Sequence, residues 1–271
     1  MDSASLGCLL SKQLEGKVAL VTGSCIGLGA AIATALAAEG ARVAVTGIPV
    51  EKGRALAEKL GNGSFFIEGD LRDVKATRNL VAVTLEKCGG IDILVNNAAI
   101  SERASLEDFT PEQFDAVMHI NLRSVLLLAQ AALPSLKQRA GVIVNIGSVN
   151  AQVGWQNLLV YAASKAGIVT ASRNMANALK YARVRVHCVN PGWIDTEGER
   201  ATMKKLGHPD NFLDEEGKQF PIGRIMKPSE VADAVLFLVS PKAAAFSGTV
   251  IDLEQFPLGA LHHPKHTEPM Q

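Results

Sequence analysis

Tyr161 and Lys165 stand four positions apart in "GSVNAQVGWQNLLVYAASKAG", with Ser148 thirteen residues upstream of the tyrosine. On a helix that spacing puts the phenol and the ammonium on one face. A phenol is a poor acid or base at neutral pH, because its ordinary pKa is about 10. A cation within a few ångströms favours the phenolate and brings the group towards useful proton transfer. A hydroxyl such as that of Ser148 can hold a substrate oxygen within the phenol's reach. Together these groups could move a proton on or off an alcohol oxygen. Alone, Y-x-x-x-K is a weak signal, since any long helix can carry a half-buried Tyr and a surface Lys.

The N-terminal segment "KVALVTGSCIGLGAAIATALAAEGARVAVTG" supplies the context. Val18 to Thr22 is an apolar, β-branched run of strand length. Gly23, Gly27 and Gly29 follow, then an alanine-rich helical pattern from Ala30 to Glu39, a stop at Gly40 and a second strand, Arg42 to Thr46. Strand, glycine turn, helix and strand make the βαβ unit that binds a dinucleotide. The glycines permit the turn and a close backbone approach to a pyrophosphate, and the helix N-terminus offers free N–H groups and positive potential. Cys25 and Ile26 lie inside the turn, where Cys25 reads as a small filler rather than a reactive thiol.

Further strand-like runs occur at Ser64–Glu68, Ile91–Asn96, Gly141–Ile146, Arg185–Asn190 and Thr249–Leu253, with helical stretches between most of them. This alternation predicts one α/β domain, a Rossmann-type doubly wound parallel sheet of about seven strands with helices on both faces. Ligands of such folds sit at the carboxyl ends of the strands. The glycine turn, Asn96, Ser148 and Pro191 fall there.

T-G-x-x-x-G-x-G (Thr22 to Gly29), N-N-A-A (Asn96 to Ala99), Asn121, Ser148, Tyr161, Lys165 and N-P-G (Asn190 to Gly192) stand in one order and spacing over about residues 14–253. In this the chain resembles the classical short-chain dehydrogenases/reductases. The resemblance implies a strand order 3-2-1-4-5-6-7 and hydride transfer to or from a nicotinamide cofactor. It makes Tyr161 the general acid/base, with Lys165 lowering its pKa and binding the nicotinamide ribose. Ser148 would orient the substrate oxygen, and Asn121 would hold a water linking Lys165 to solvent. The cofactor would lie on Gly23, Cys25, Ile26, Gly27, Gly29 and Gly47. It would meet Asp70 and Leu71 at the adenine, and Asn96, Asn97 and Ala98 along the adenosine half. Pro191, Gly192, Ile194 and Thr196 would meet it at the nicotinamide. The plain alternatives are that Asn121 satisfies backbone in a helix kink and that Asp70 caps the following helix.

Three departures from the family pattern bear on function. Ala99 replaces the usual glycine of N-N-A-G, which is strained if that position needs a positive φ. "DLEQF", Asp252 to Phe256, replaces the usual acidic-glycine-glycine ending. Gly47 stands where NAD-preferring members carry an Asp, while Ile48 and Ile26 stand where NADP-preferring members offer a basic residue. NAD(H) is the expected nucleotide, with NADP(H) or dual use as the alternative. Lys52, the nearest downstream cation, is expected on the next helix.

A chain of 271 residues with 48% hydrophobic residues suits one large domain. Its formal net charge of zero argues against a nucleic-acid footprint. No membrane span or signal peptide is read from the sequence. Cys8, Cys25, Cys88 and Cys188 show no paired or metal-ligand spacing, so a reducing, cytoplasmic location and no metal are expected. The tail holds His262, His263 and His266 and reads as a polar end broken by Pro264 and Pro269. Residues 195–220 are expected to form a substrate lid.

Ser101, Glu102, Asn150, Gln152, Gln156, Asn157 and Glu197, with Trp155 and Trp193, are read as pocket residues. Ser148, Asn150, Trp155, Tyr161 and Trp193 are taken as the substrate contacts. Carboxylates and amides beside an aromatic face point to a sugar, a polyol or another small polar alcohol. A 3-oxoacyl thioester reductase and a catalytically silent nucleotide sensor are the alternatives, the second disfavoured because Tyr161 and Lys165 are both present. A homo-oligomer, dimer or tetramer, is expected by analogy alone.

Overall fold

The computed structural model describes residues 12–258; Cys8 and the three tail histidines lie outside them. Seven strands form one sheet: β1 Val18–Val21, β2 Arg42–Thr46, β3 Phe65–Ile67, β4 Ile93–Asn96, β5 Val142–Ile146, β6 Arg185–Pro191 and β7 Val250–Leu253. Their order is β3-β2-β1-β4-β5-β6-β7, as expected, and every pairing is parallel. The helices are α1 Gly27–Ala38, α2 Val50–Leu60, α3 Val74–Cys88, α4 Pro111–Met118, α5 Ser124–Arg139, α6 Leu159–Leu179, α7 Glu197–Lys205, α8 Phe212–Gly217 and α9 Pro228–Val239.

Successive strand residues point to opposite faces, and both faces are covered. Ala19, Val21, Val43, Val45, Ile93, Val95, Val142 and Val144 pack with the α1 and α9 side, where Ile32, Leu36, Val231 and Val235 are fully buried. Leu20, Ala44, Leu94 and Ile143 pack on the other side with Leu80, Leu128, Ala132 and Leu136 of α3 and α5. The sheet's central strands are therefore buried on both faces, with no polar-out alternation. α1 begins at Gly27 rather than Ala30, because the second and third glycines of the turn already belong to its first turn. Asp70 does not cap α3; Asp73 does, its carboxylate accepting from the Ala76 N–H at 2.6 Å.

α4 and α5 are halves of one rod joined by a π-helical turn, His119–Arg123. By length and composition alone the rod Pro111–Arg139 is apolar enough to cross a membrane. In this fold its apolar stripe, Leu128, Ala132 and Leu136, lies in the core against the sheet.

Candidate active site

The glycine turn is built from contacts that exclude side chains. Gly23 (φ +61°) lies so close to the β4 end that an added Cβ would sit 2.8 Å from the Ala98 Cα, and one on Gly29 would collide with the Gly23 carbonyl. Thr22 ties the two strand ends together, its Oγ1 accepting from the N–H groups of Asn97 (3.0 Å) and Ala98 (3.1 Å). The Asn97 amide in turn donates to the carbonyls of Thr22 (2.9 Å) and Gly23 (3.1 Å). No side chain caps α1, whose N-cap is the extended Ile26, so its first N–H groups remain for an anion. This cradle fits the pyrophosphate of a dinucleotide.

Other cofactor candidates fall around it in different ways. Thr196 packs 3.6 Å from where a Gly27 Cβ would stand. Cys25 is buried, which pushes its thiol up to about 11, so it is inert filler against α2 and offers a ligand only its backbone. Gly47 has φ +128°, and a Cβ there would lie 3.1 Å from the Gly23 Cα. The family's Asp is thus replaced by a backbone that an Asp adopts only with strain. Ala99 is harmless, since among the described non-glycine residues only Asn62, Ala140 and Arg183 have positive φ. Asn96 departs from expectation. It is buried and its amide donates to Asn145 Oδ1 at 2.8 Å, so it braces β4 on β5. Asp70 is exposed and paired with Arg72 at 2.7 Å, which holds its carboxyl below the usual range, while Leu71 is buried.

Ser148 ends the segment after β5, and Tyr161 and Lys165 project from the first two turns of α6. Ser148 and Lys165 are buried, at 6% and 2% exposed, while Tyr161 is half-buried. Burial raises the Tyr161 phenol above its ordinary value; its hydrogen bond with Ser148 acts the other way, and the Glu199 carboxylate adds to the rise. Lys165 differs from expectation in its electrostatics. Its Nζ donates to the Ile146 carbonyl at 2.8 Å and lies 5.6 Å from the Tyr161 ring centroid. Burial pulls the ammonium down to about 8. With the cation turned to a carbonyl, desolvation governs both groups and the phenol is held protonated at neutral pH.

Asn121 sits fully buried inside the π turn. Its Oδ1 accepts from the Ile100 N–H and its Nδ2 donates to the Ile100 carbonyl, both at 2.9 Å, and also to Ser164 Oγ at 3.1 Å. The amide satisfies the Ile100 backbone and Ser164, so it ties the loop after β4 to the helix turn that follows Tyr161.

The β6–β7 pairing positions the nicotinamide side. Pro191 pairs with Leu253, the Gly192 N–H donates to the Leu253 carbonyl at 2.7 Å, and Ile194 bridges to Met226. "DLEQF" has defined contacts: Asp252 accepts from Asn190 and Gln152, both at 2.8 Å, and Glu254 lies over Gly192. Gln152 is thereby committed to β7. Trp155 is 57% exposed, and Ser101, Glu102 and Gln156 are also exposed. Asn150 is half-buried with an unpartnered Oδ1 and its N–H on Ser148 Oγ. Trp193 is the aromatic that does face inward, at 6.2 Å from both Phe212 and Phe220.

The sequence reading missed Glu199 and Arg103. Glu199 Oε1 accepts from Trp193 Nε1 at 2.8 Å and lies 3.9 Å from Arg103 Nη2. The spacing T-x-x-E from Thr196 to Glu199 marks a helix start and so locates the residue, but that pattern would send the carboxylate back to the cap rather than to Trp193.

A family model described as enoyl-(acyl carrier protein) reductase matches residues 23–254. A trans-4-hydroxycyclohexanecarboxylate dehydrogenase of Sinomonas cyclohexanicum is 32% identical, over 90% of this chain and 94% of its own. A short chain dehydrogenase from Burkholderia cenocepacia, solved in complex with NADP, is 36% identical with TM-score 0.81, covering 90% and 98% of the two chains. A 3-ketoacyl-(acyl-carrier-protein) reductase from Brucella melitensis, complexed with NADH, is 31% identical with TM-score 0.79, covering 88% and 97%. With the parallel sheet, glycine cradle and Ser148–Tyr161–Lys165 site already in place, these matches lead to one conclusion: the chain belongs to the short-chain dehydrogenase/reductase family of oxidoreductases.

Proposed function

We propose that the protein interconverts a secondary alcohol, or a sugar hemiacetal, and the corresponding carbonyl, acting on a small polar substrate such as a sugar or polyol. The observation that carries the reading is the Ser148–Tyr161–Lys165 group at the carboxyl edge of β5, buried at Ser148 and Lys165 and half-buried at Tyr161. It lies beside the Pro191–Gly192 segment and in the same sheet edge as the glycine cradle. The nicotinamide ring, when bound, supplies the hydride acceptor or donor. Ser148 holds the substrate oxygen and Tyr161 exchanges the proton at that oxygen. In the reducing direction the protonated phenol would donate to the carbonyl oxygen, and in the oxidising direction, which a rise in pH would favour, the ionised phenol would take the hydroxyl proton. Lys165 would position the ribose, and Asn121 the loop opposite. The segment 195–220, with α7 and α8, would close over the reactants and exclude water.

NAD(H) is the nucleotide we favour. Gly47 gives no carboxylate to the ribose hydroxyls, but Ile48 gives no cation to a 2′-phosphate either, and Lys52 on α2 is engaged by Glu197 at 2.9 Å. Use of NADP(H) stays within the reading, because one solved relative holds NADP and another NADH. A 3-oxoacyl thioester reductase is the second reading, favoured by the similarity to the Brucella melitensis enzyme. A homo-oligomer is proposed by family analogy.

The test is reduced-nicotinamide absorbance with each nucleotide over sugars, polyols, apolar alcohols and acetoacetyl thioesters. Polar-alcohol turnover that disappears in Tyr161→Phe, with nucleotide binding retained, supports the proposal. Turnover confined to thioesters or apolar alcohols overturns it.

A further inference from the structure

Arg103 and Glu199 come to the reactive tyrosine from different parts of the chain. Arg103 precedes Ala104, whose N–H donates to the Asn157 carbonyl at 3.0 Å and which bridges Leu158, the residue that opens α6 three positions before Tyr161. Glu199 is in the first turn of α7 and is held by Trp193, two residues beyond Pro191. The pair therefore spans the substrate side of the site between the start of α6 and the nicotinamide wall.

The two charges are close without being spent on each other. Their 3.9 Å separation exceeds the 2.7–2.9 Å usual for a charged hydrogen bond. The Arg103 Nε is buried with no partner, so the protein leaves the guanidinium's hydrogen-bonding capacity unfilled. Glu199 keeps acceptor capacity beyond the Trp193 bond. Both side chains are partly exposed, at 29% and 23%, so a ligand can reach them.

We propose that Arg103 and Glu199 are specificity-determining residues that select substrates bearing a second hydroxyl next to the carbon being oxidised or reduced. A hydroxyl donates one hydrogen bond and accepts another, so it bonds to the carboxylate and the guanidinium at once. A hydrocarbon leaves both unmet, and a carboxylate, which accepts from Arg103 but cannot donate to Glu199, meets only one of them. The inference rests on the alcohol–carbonyl reading and narrows its substrate to vicinal diols and polyols.

The probes are trans-1,2-cyclohexanediol, cyclohexanol and trans-4-hydroxycyclohexanecarboxylate, with an acetoacetyl thioester as control. The wild type is expected to prefer the diol over cyclohexanol by about 100-fold in kcat/KM, the value of one hydrogen bond to a charged group. Glu199→Ala and Arg103→Met should reduce that ratio to about threefold or less through KM for the diol, with nucleotide binding retained as the check on folding. Glu199→Gln, which keeps an acceptor for Trp193 and the hydroxyl, should restore most of the ratio. The proposal is overturned by an equal or better kcat/KM for cyclohexanol or the carboxylate. It is also overturned by variants that depress both alcohols in proportion, the mark of a merely structural role. Reduction of the thioester with no alcohol oxidised would sink the parent reading as well, and that result differs from either of the others.

Discussion

The nucleotide cradle and the lid segment hold their shapes by opposite means. Around Gly23 and Gly29 the backbone is packed so closely that no Cβ fits, and the bonds that hold it run through Thr22 and Asn97 at 2.9–3.1 Å. In the lid, Met203, Leu213, Phe220 and Ile225 form a small separate core with Trp193, Phe212 and Phe256 leaning on it. Its rim is ionic: Arg200 with Asp195 and Asp214 at 2.7 Å each, Lys204 with Asp210 at 2.9 Å, and Lys218 with Glu215 at 2.7 Å. Partly exposed pairs of this kind contribute roughly 0–1 kcal/mol each. The cradle is fixed by exclusion and has no second arrangement available. The segment 195–220, proposed as a lid, is held by few buried side chains and weak pairs, so it can open at small cost. The glycine cradle is thus preorganised, while the proposed lid is the more easily rearranged of the two.

The sharpest way to separate the two regions is Tyr161→Phe, which removes the proton donor at their junction. A loss of about 10²–10⁴ in kcat is expected, with nucleotide affinity held within about twofold, measured by titration against steady-state turnover. Gly29→Ala should do the reverse. Its added methyl meets the Gly23 carbonyl, an overpacking that costs about 1–3 kcal/mol. Both nucleotide affinity and melting temperature should fall. Unchanged nucleotide binding in that variant would mean that the cradle yields, and the contrast with the lid would be lost.

Phe220→Ala tests the lid from its core. Local hydrogen exchange in residues 197–220 should rise by about tenfold or more while the melting temperature of the whole domain moves by only a few degrees, because the small core opens independently. Equal loss of protection in β1 and β4 would show a single cooperative unit instead.

His187 provides a test by pH. It is fully buried on β6, with Arg185 against its Nε2 at 3.0 Å, and burial together with that cation brings its pKa from 6.5 to about 4. The folded state refuses a proton that the unfolded chain accepts below pH 6.5. Stability from this group is therefore complete above pH 6.5 and is lost as pH falls towards 4, up to about 3 kcal/mol. Thermal melting of wild type and His187→Gln between those limits should show a shallower acid slope in the variant.

The smallest effect concerns Lys52–Glu197, an exposed pair that joins α2 to the lid. Glu197→Gln should change nucleotide affinity by less than about 1 kcal/mol. The change should fade in high salt.

The fold was legible because the strands are continuous apolar runs bounded by glycines, and the observed ends differ from the read ones by a residue or two. The site was legible where backbone geometry dictates residue type: only glycine tolerates the contacts at 23 and 29. It was not legible where side-chain direction decides. Asn96 and Asn97 are neighbours of one type, yet one turns into the sheet and the other onto the glycine turn, an alternation that depends on strand register. Trp155 and Trp193 read alike, but Trp193 is anchored by Glu199 and the lid core while Trp155 has water on most of its surface. The Arg103–Glu199 approach joins residues 96 positions apart and leaves no local pattern.

The π turn at His119–Arg123 holds one residue more than the α-helical rod around it needs. The extra residue rotates α4 relative to α5 by about 100°, the step of one residue in a helix. A chain that deleted one residue here would regain a regular helix and withdraw Asn121 from Ile100, so this segment should resist length change while the loop before it tolerates it.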